Sequence, residues 1–219
     1  MSDFKYKFDF NREIPKRNKT YDKVSSLLKF IMKKCVYNGI KVSGLENIPK
    51  TGGYLIASNH YSGWDPFVLA TVFYPEQLHF MAKAEFFDKF YIRIPLMAFN
   101  GFPIDRESLD LGSINYSKRV INNGHPLLIF PQATRQKNED APEGFKAGAS
   151  LIIKSAKTDV LPVAIKHKKE NSKRATPYIS IGKLIKYDEF DLKKGAKSKD
   201  LHNVSLKIEK AVGDLWKKI

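Results

Sequence analysis

The chain has 219 residues, enough to bury a full core in one domain, and its 42% hydrophobic and 28% charged content excludes disorder. A single cysteine, Cys35, excludes an intramolecular disulfide and a Cys-rich metal site and is compatible with a reduced intracellular setting. The 38 lysines and arginines against 23 aspartates and glutamates leave a net charge of +15, a field suited to nucleic acid, an anionic membrane surface or phosphorylated substrates.

Residues 1–19 are basic and interleaved with aromatics, and are expected to form a loosely held arm without the apolar core of a signal peptide. No run approaches the ~18 apolar residues of a spanning helix, so the chain is expected not to cross a membrane. Residues 21–38 carry Val24, Leu27, Leu28, Ile31 and Cys35 at helical spacing, which predicts an amphipathic helix closed by Gly39. Its apolar stripe either packs on the core or lies in a membrane interface with lysines reaching anionic lipid. Residues 40–48 predict a strand, and Tyr54–Ala57 a short buried one. A helix is expected from Phe67 to about Phe73, then a strand over Leu78–Ala82 that delivers Lys83 and Glu85 at its end. The stretch 86–102 is unusually aromatic; it suits core, an acyl-chain groove or a membrane-facing patch, and Pro95 argues against one uninterrupted helix.

Pro103–Arg106 is strand-like and is followed by a polar helix over about 108–122. Apolar strands at Leu127–Phe130 and Val160–Ile165 bracket a helix over Phe145–Ala156. A charged loop at 166–175 and one or two strands between Tyr178 and Tyr187 come next. A closing amphipathic helix runs through Leu201, Val204, Ile208, Val212 and Leu215. Strands alternating with helices predict an α/β fold, a single domain with a mostly buried mixed sheet flanked by helices. The expected division is an arm and helix over 1–39 and a main domain over 40–219.

The stretch Ser58-Asn59-His60-Tyr61-Ser62-Gly63-Trp64-Asp65-Pro66 places a histidine just past a strand end and an aspartate five residues on. Imidazole titrates near neutrality, and a carboxylate on its second nitrogen fixes the tautomer, which suits general-base chemistry. The same residues also read as an ordinary helix start, with Asp65 as N-cap and Pro66 at the first helical position, beside a solvated loop histidine. The five histidines (60, 79, 125, 167, 202) lack ligand spacing, so no metal site is expected.

Polar groups follow strand-like stretches at three places in order: Asn59/His60/Asp65, Asp105/Arg106 and Thr134/Arg135. This order resembles the glycerolipid acyltransferase family, whose bacterial members acylate 1-acylglycerol 3-phosphate. The family's N-H-x4-D motif is matched by Asn59, His60 and Asp65. Its G-x-I-x-I-D-R motif is matched in part by residues 101–106. Its F-P-E-G-T-R-S motif is matched by Phe130, Pro131, Thr134 and Arg135. A strand with an interior proline is matched at Val160–Val163, and an A-K-x-E element by Ala82, Lys83 and Glu85. The similarity spans about residues 40–190. Gln132 and Ala133 depart from the family's Glu and Gly, and Gln136 from its Ser. Gln132 keeps the shape of Glu without its charge, and Ala133 adopts positive φ less readily than Gly, so altered acceptor handling is expected there.

The resemblance implies transfer of an acyl group from acyl-CoA or an acyl-carrier protein to the hydroxyl of a lysophospholipid. His60 would act as base, oriented by Asp65, without an acyl-enzyme or a cofactor. It implies Lys83, Arg106, Thr134 and Arg135 around the acceptor phosphate, with Asn59, Gln132 and Ala133 as possible specificity positions. Adjacent acids Glu85 and Asp105 also offer Lys83 and Arg106 plain ion pairs. The partners implied are an anionic membrane surface, the lysophospholipid and the thioester donor, at the cytoplasmic face and peripheral to the membrane. Two other readings are a lipid-binding relative without turnover and, at greater distance, a basic nucleic-acid-binding protein, though no known nucleic-acid-binding pattern is present.

Overall fold

The structure, a computed structural model, describes residues 5–105, 110–136, 140–169, 173–193 and 195–219. Its strands are β1 (Lys41–Ser43), β2 (Leu55–Ser58), β3 (His79–Lys83), β4 (Gly101–Ile104), β5 (Leu127–Ile129), β6 (Val160–Lys168) and β7 (Thr176–Ile181). Its helices are α1 (Lys19–Ile31), α2 (Asp65–Phe73), α3 (Glu85–Asp88), α4 (Phe90–Ala98), α5 (Leu111–Asn122), α6 (Gly148–Ala156) and α7 (Ser198–Lys217).

The strands form one mixed sheet in the order β1-β7-β6-β2-β5-β3-β4. Strands β6, β2, β5, β3 and β4 are mutually parallel, whereas β7 pairs antiparallel with β6 and parallel with β1. Alternation along each strand sends side chains to opposite faces. On one face Ile56, Phe80, Leu128, Val163 and Ile165 pack with Leu28, Val68, Leu69 and Phe87 of the α1–α3 side. On the other, Leu55, Ala57, Ile129 and Ala164 pack with Val120, Ile152 and Ile208 of α5, α6 and α7. With both faces covered, the short central strands need no polar side, and β2 and β5 are buried at every residue. The carboxyl ends of five parallel strands therefore share one edge of the sheet, which is where open α/β sheets build ligand sites.

Several sequence expectations shift. The arm is packed rather than loose. Phe8 and Phe10 pack edge-on against Tyr116, Arg119 Nη1 donates to the Phe10 carbonyl at 2.6 Å, and Tyr6 N donates to Asp88 at 2.8 Å. The first helix is α1, capped by the Asn18 side chain, and it passes into a π-type turn over Met32–Val36. It buries Tyr21, Ser25, Leu28 and Met32, whereas Leu27 and Phe30 are exposed and Cys35 lies in the open. Of the expected stripe, Leu28 is buried and Val24 and Ile31 pack against the core, whereas Leu27 and Cys35 are exposed. The expected 40–48 strand is only β1 followed by a 3-10 turn at Leu45–Asn47. The aromatic stretch makes two helices broken at Lys89, with Pro95 inside α4 rather than at the break. Strand β6 extends to Lys168, into the expected charged loop.

At the amino end of β3, His79 is buried beside His125, with ring centroids 5.0 Å apart. Burial, and then the nearby His125 and Arg12, pull the His79 pKa down to about 3. An unfolded imidazole titrates near ~6.5, so the unfolded chain binds the extra proton first. The His79 contribution to stability is present in full above about pH 6.5 and is lost as pH falls toward the folded value, with a limiting slope of ~1.4 kcal/mol per pH unit. Urea melts of the wild type and His79→Gln at pH values between neutrality and about 4 should show a shallower acid decline in the variant. Equal slopes would remove His79 from the acid limb.

Candidate active site

The loop after β2 is shaped by a buried carboxylate. Asp65 is fully buried at the start of α2, and its side chain does not cap that helix. It turns back toward the preceding loop, where Oδ2 accepts from the backbone N–H of Tyr61 and of Ser62, both at 2.7 Å. The same oxygen lies 2.9 Å from His60 Nδ1, and Oδ1 lies 2.8 Å from His167 Nε2. Burial acts to raise the carboxyl pKa, but the hydrogen bonds from His167 and His60 outweigh it and hold the value below the ordinary one. An ionised carboxylate only accepts, so both imidazoles donate to it. For neutral His60 this fixes the Nδ1–H tautomer and leaves Nε2 with a lone pair.

The rest of His60 is fixed from the loop after β5. Its backbone N–H donates to Gln132 Oε1 at 3.0 Å, and its carbonyl accepts from Gln136 N at 2.8 Å. Its ring stacks on Phe130 with centroids 4.1 Å apart. Gln132 also donates to the Glu143 carbonyl at 3.3 Å, a bond that needs an amide rather than a carboxylate. Asn59 is spent on the sheet: it donates to the Ile165 carbonyl and accepts from the Ile165 N–H, each at 2.8 Å, extending the β2–β6 pairing by one residue.

His60, Lys83, Thr134 and Arg135 line a common cavity of about 610 Å³ at the carboxyl edge of the sheet. Its remaining wall is largely apolar and aromatic, including Phe67, Phe80, Phe86 and Leu96, and among the described residues it contains no carboxylate. Lys83 is paired with Glu85 at the rim. The Arg135 guanidinium approaches Gly63, with Nη1 3.7 Å from where a Cβ at position 63 would stand. Arg106, the remaining expected phosphate ligand, lies outside the described residues. Asn59, Gln132 and Ala133 stand behind the cavity wall and do not line it. Ala133 instead borders a smaller chamber of about 240 Å³ on the other side of Phe130, lined by Ile104, Ile129 and Ile152 and also by Asp105, Asp110 and Lys146. Among the described residues, no group of three or more His, Cys, Asp or Glu is placed to hold a metal ion.

His167 is the site residue that sequence reasoning missed. It lies near the end of β6, on the same face as Val163 and Ile165, and packs between Tyr37 and Tyr61. Ending that strand at Ile165 assigned it to a loop. Continuing the alternation two residues further would have put it on the side that faces Asp65.

Ala133 adopts φ 60°, the left-handed conformation that the sequence comparison with glycine anticipated as unfavourable. For an alanine this conformation costs ~1 kcal/mol. Ala133→Gly should raise unfolding free energy by about that amount, less the added freedom of the unfolded chain. A denaturant midpoint that falls instead would show that the Ala133 methyl contributes packing of greater value.

Comparisons with known proteins give the family and the fold. The chain is 38% identical over 127 residues to a 1-acyl-sn-glycerol-3-phosphate acyltransferase of Bacillus subtilis, covering 58% of this chain and 62% of that protein. It is 34% identical over 111 residues to one of Streptococcus pneumoniae, covering 50% and 40%. The matches thus span less than two thirds of these relatives. The crystal structure of the 1-acyl-sn-glycerophosphate acyltransferase of Thermotoga maritima superposes with a TM-score of 0.68 over 90% of this chain and 78% of that one, at 20% identity, a likeness of fold. The Acyltransferase family model matches residues 39–166, the span that holds His60, Asp65, Lys83 and Arg135 and stops one residue before His167. The chain belongs to the acyltransferase family.

Proposed function

We propose that the chain transfers a fatty acyl group from a thioester, acyl-CoA or acyl-carrier protein, to the free hydroxyl of 1-acylglycerol 3-phosphate or a related lysophospholipid. The carrying observation is His60 at the common cavity, its Nδ1 tied to buried Asp65, in the company of Lys83 and Arg135. In this reading His60 Nε2 takes the acceptor hydroxyl proton as the oxygen attacks the thioester carbonyl. The tetrahedral intermediate collapses with cleavage of the C–S bond, and the imidazolium returns the proton to the leaving thiolate, so ester and thiol are the products. Asp65 stabilises the transient imidazolium, and His167, on its other oxygen, is a positioning residue. Arg135 and Lys83 attract the acceptor phosphate, Arg135 by a two-pronged contact. Phe67, Phe80, Phe86 and Leu96 offer an apolar wall to an acyl chain.

The water-insoluble acceptor calls for approach from a membrane surface. Among the described residues no helix is long and apolar enough to cross a membrane. Peripheral binding at an anionic cytoplasmic leaflet is supported by the net charge of +15 and by exposed Leu27 and Phe30 on α1 and Phe90, Tyr91 and Ile94 on α4.

Purified chain with lysophosphatidic acid and either donor should give phosphatidic acid, and His60→Ala should reduce turnover by about 10²–10⁴-fold without loss of fold. His167→Leu should reduce turnover less, with His167→Gln restoring much of it because its amide can donate to Asp65. Undiminished turnover in His60→Ala would overturn the base assignment, and acceptor binding without turnover in the wild type would favour the lipid-binding relative. Phe90→Ser/Ile94→Ser should weaken sedimentation with phosphatidylglycerol vesicles about tenfold or more, since burial of one such side chain is worth ~1.5–3 kcal/mol. Unaltered sedimentation would place the membrane contact elsewhere.

A further inference from the structure

At the opposite edge of the sheet, where β3 and β4 begin, lies a second polar cavity of about 430 Å³. Its polar wall comprises Arg12 from the arm, Asn18 and Thr20 at the start of α1, His79 of β3, Arg93 of α4, and Asn100 before β4. Among the described residues, no aspartate or glutamate lines it. We infer that this cavity is a second anion site, which takes a phosphate group between Arg12 and Arg93 and is separate from the cavity that holds His60.

The two guanidiniums are oriented without being neutralised. Arg12 sits over the Phe8 ring, 5.6 Å from its centroid, and Arg93 over the Tyr6 ring at 4.4 Å. Arg93 Nη1 also donates to the Phe87 carbonyl at 3.2 Å. Among the described residues neither arginine has a carboxylate within ion-pair distance. Rings and a carbonyl fix the forks in space while leaving the positive charge uncompensated, a state that favours an arriving anion. Guanidinium geometry matches phosphate oxygens in pairs.

Buried polar groups point the same way. His79 is 4% exposed, and its Nδ1 has no hydrogen-bond partner. Such an orphan is costly unless something completes it. Arg12 is among the groups that keep this imidazole neutral, so its charge reaches the ring, and a bound anion would oppose that influence and accept a hydrogen bond from it. Asn100 uses its Oδ1 to accept from Asn18 Nδ2 at 2.7 Å, which leaves its amide hydrogens as donors. The 13-residue helix α1 adds the positive end of its dipole at the same place.

The site also adjoins the exposed apolar face of α4, since Ile94, 62% exposed, forms part of its wall. The phosphate therefore has two available sources: a phospholipid headgroup reached while α4 rests on a bilayer, or a phosphate ester in solution. Either would clamp the arm, α1 and α4 together, because each contributes to the wall.

The test is titration of the full chain with inorganic phosphate, read by the His79 ring resonances, against sodium chloride of equal ionic strength. His79→Gln identifies those resonances. Saturable shifts are expected in the wild type, and Arg12→Gln and Arg93→Gln should each weaken the phosphate dependence about tenfold or more, from the ~1.5–3 kcal/mol of a charged hydrogen bond. Arg135→Gln, in the other cavity, should leave the His79 shifts unchanged. Sedimentation with phosphatidylglycerol vesicles then separates the sources. Binding that both arginine variants weaken and phosphate competes away supports the headgroup; phosphate shifts with vesicle binding unaffected support a soluble ester. Arg93→Gln tests the cavity from α4, so a displaced arm in Arg12→Gln does not decide the result. Shifts equal in chloride, or no His79 response with vesicle binding unaltered by both variants, would overturn the site.

Discussion

The active edge of this protein depends on one buried carboxylate. Asp65 is removed from water and would be destabilised there by desolvation alone, yet its oxygens receive two backbone N–H groups and two imidazoles. Each bond fixes a different part of the structure. The backbone donors set the course of the loop after β2, His60 receives its tautomer, and His167 joins the end of β6 to the start of α2. Removing any donor leaves a buried charge less satisfied, so orientation of His60 and stability of this edge are coupled through the same atoms.

Around that centre the loops fasten to each other rather than hang from the sheet. Gln132 and Gln136 hold the main chain of His60 on both sides, Phe130 backs its ring, and Asn59 continues the pairing of β2 with β6. His60 is therefore set by contributions from β2, β5 and β6, adjacent strands whose carboxyl ends lie at one edge. Lys83 arrives there by the same logic, at the end of β3. A parallel sheet assembles groups far apart in sequence because every strand delivers its last residue to the same side.

Much of this was legible before the structure. Short apolar runs marked the central strands, because strands covered on both faces need no polar alternation, and the polar residues after them gave the order of the site. His60 with Asp65, and Lys83 with Arg135, are brought to the places that order implied. Three features were not legible for identifiable reasons. His167 follows a lysine in a charged stretch, and the polar composition masked the continuing strand. The inner face of α1 includes Tyr21 and Ser25, whose polar atoms are hydrogen-bonded locally or across the fold, so a count of purely apolar residues found Val24, Leu28 and Ile31 and left these two out. The arm is held by aromatic stacking and by Arg119 bonds to its carbonyls, contacts between segments over 100 residues apart that local composition does not record.

Gln132 carries a further consequence for what the cavity can attract. Its amide fastens two loops by accepting on one side and donating on the other, and it does so as a neutral group. A carboxylate in that position would perform the accepting half while adding negative charge immediately behind the base. Among the described residues the cavity wall has cations and no acid, with Glu85 only at the rim beside Lys83, and the carboxylate oxygens of Asp65 are already engaged by four donors. The potential at the cavity is thus separated from the charge that orients His60. On the proposed reading, entry of the acceptor and proton transfer can be tuned by different residues, so a change in the preferred headgroup need not disturb the chemistry that follows.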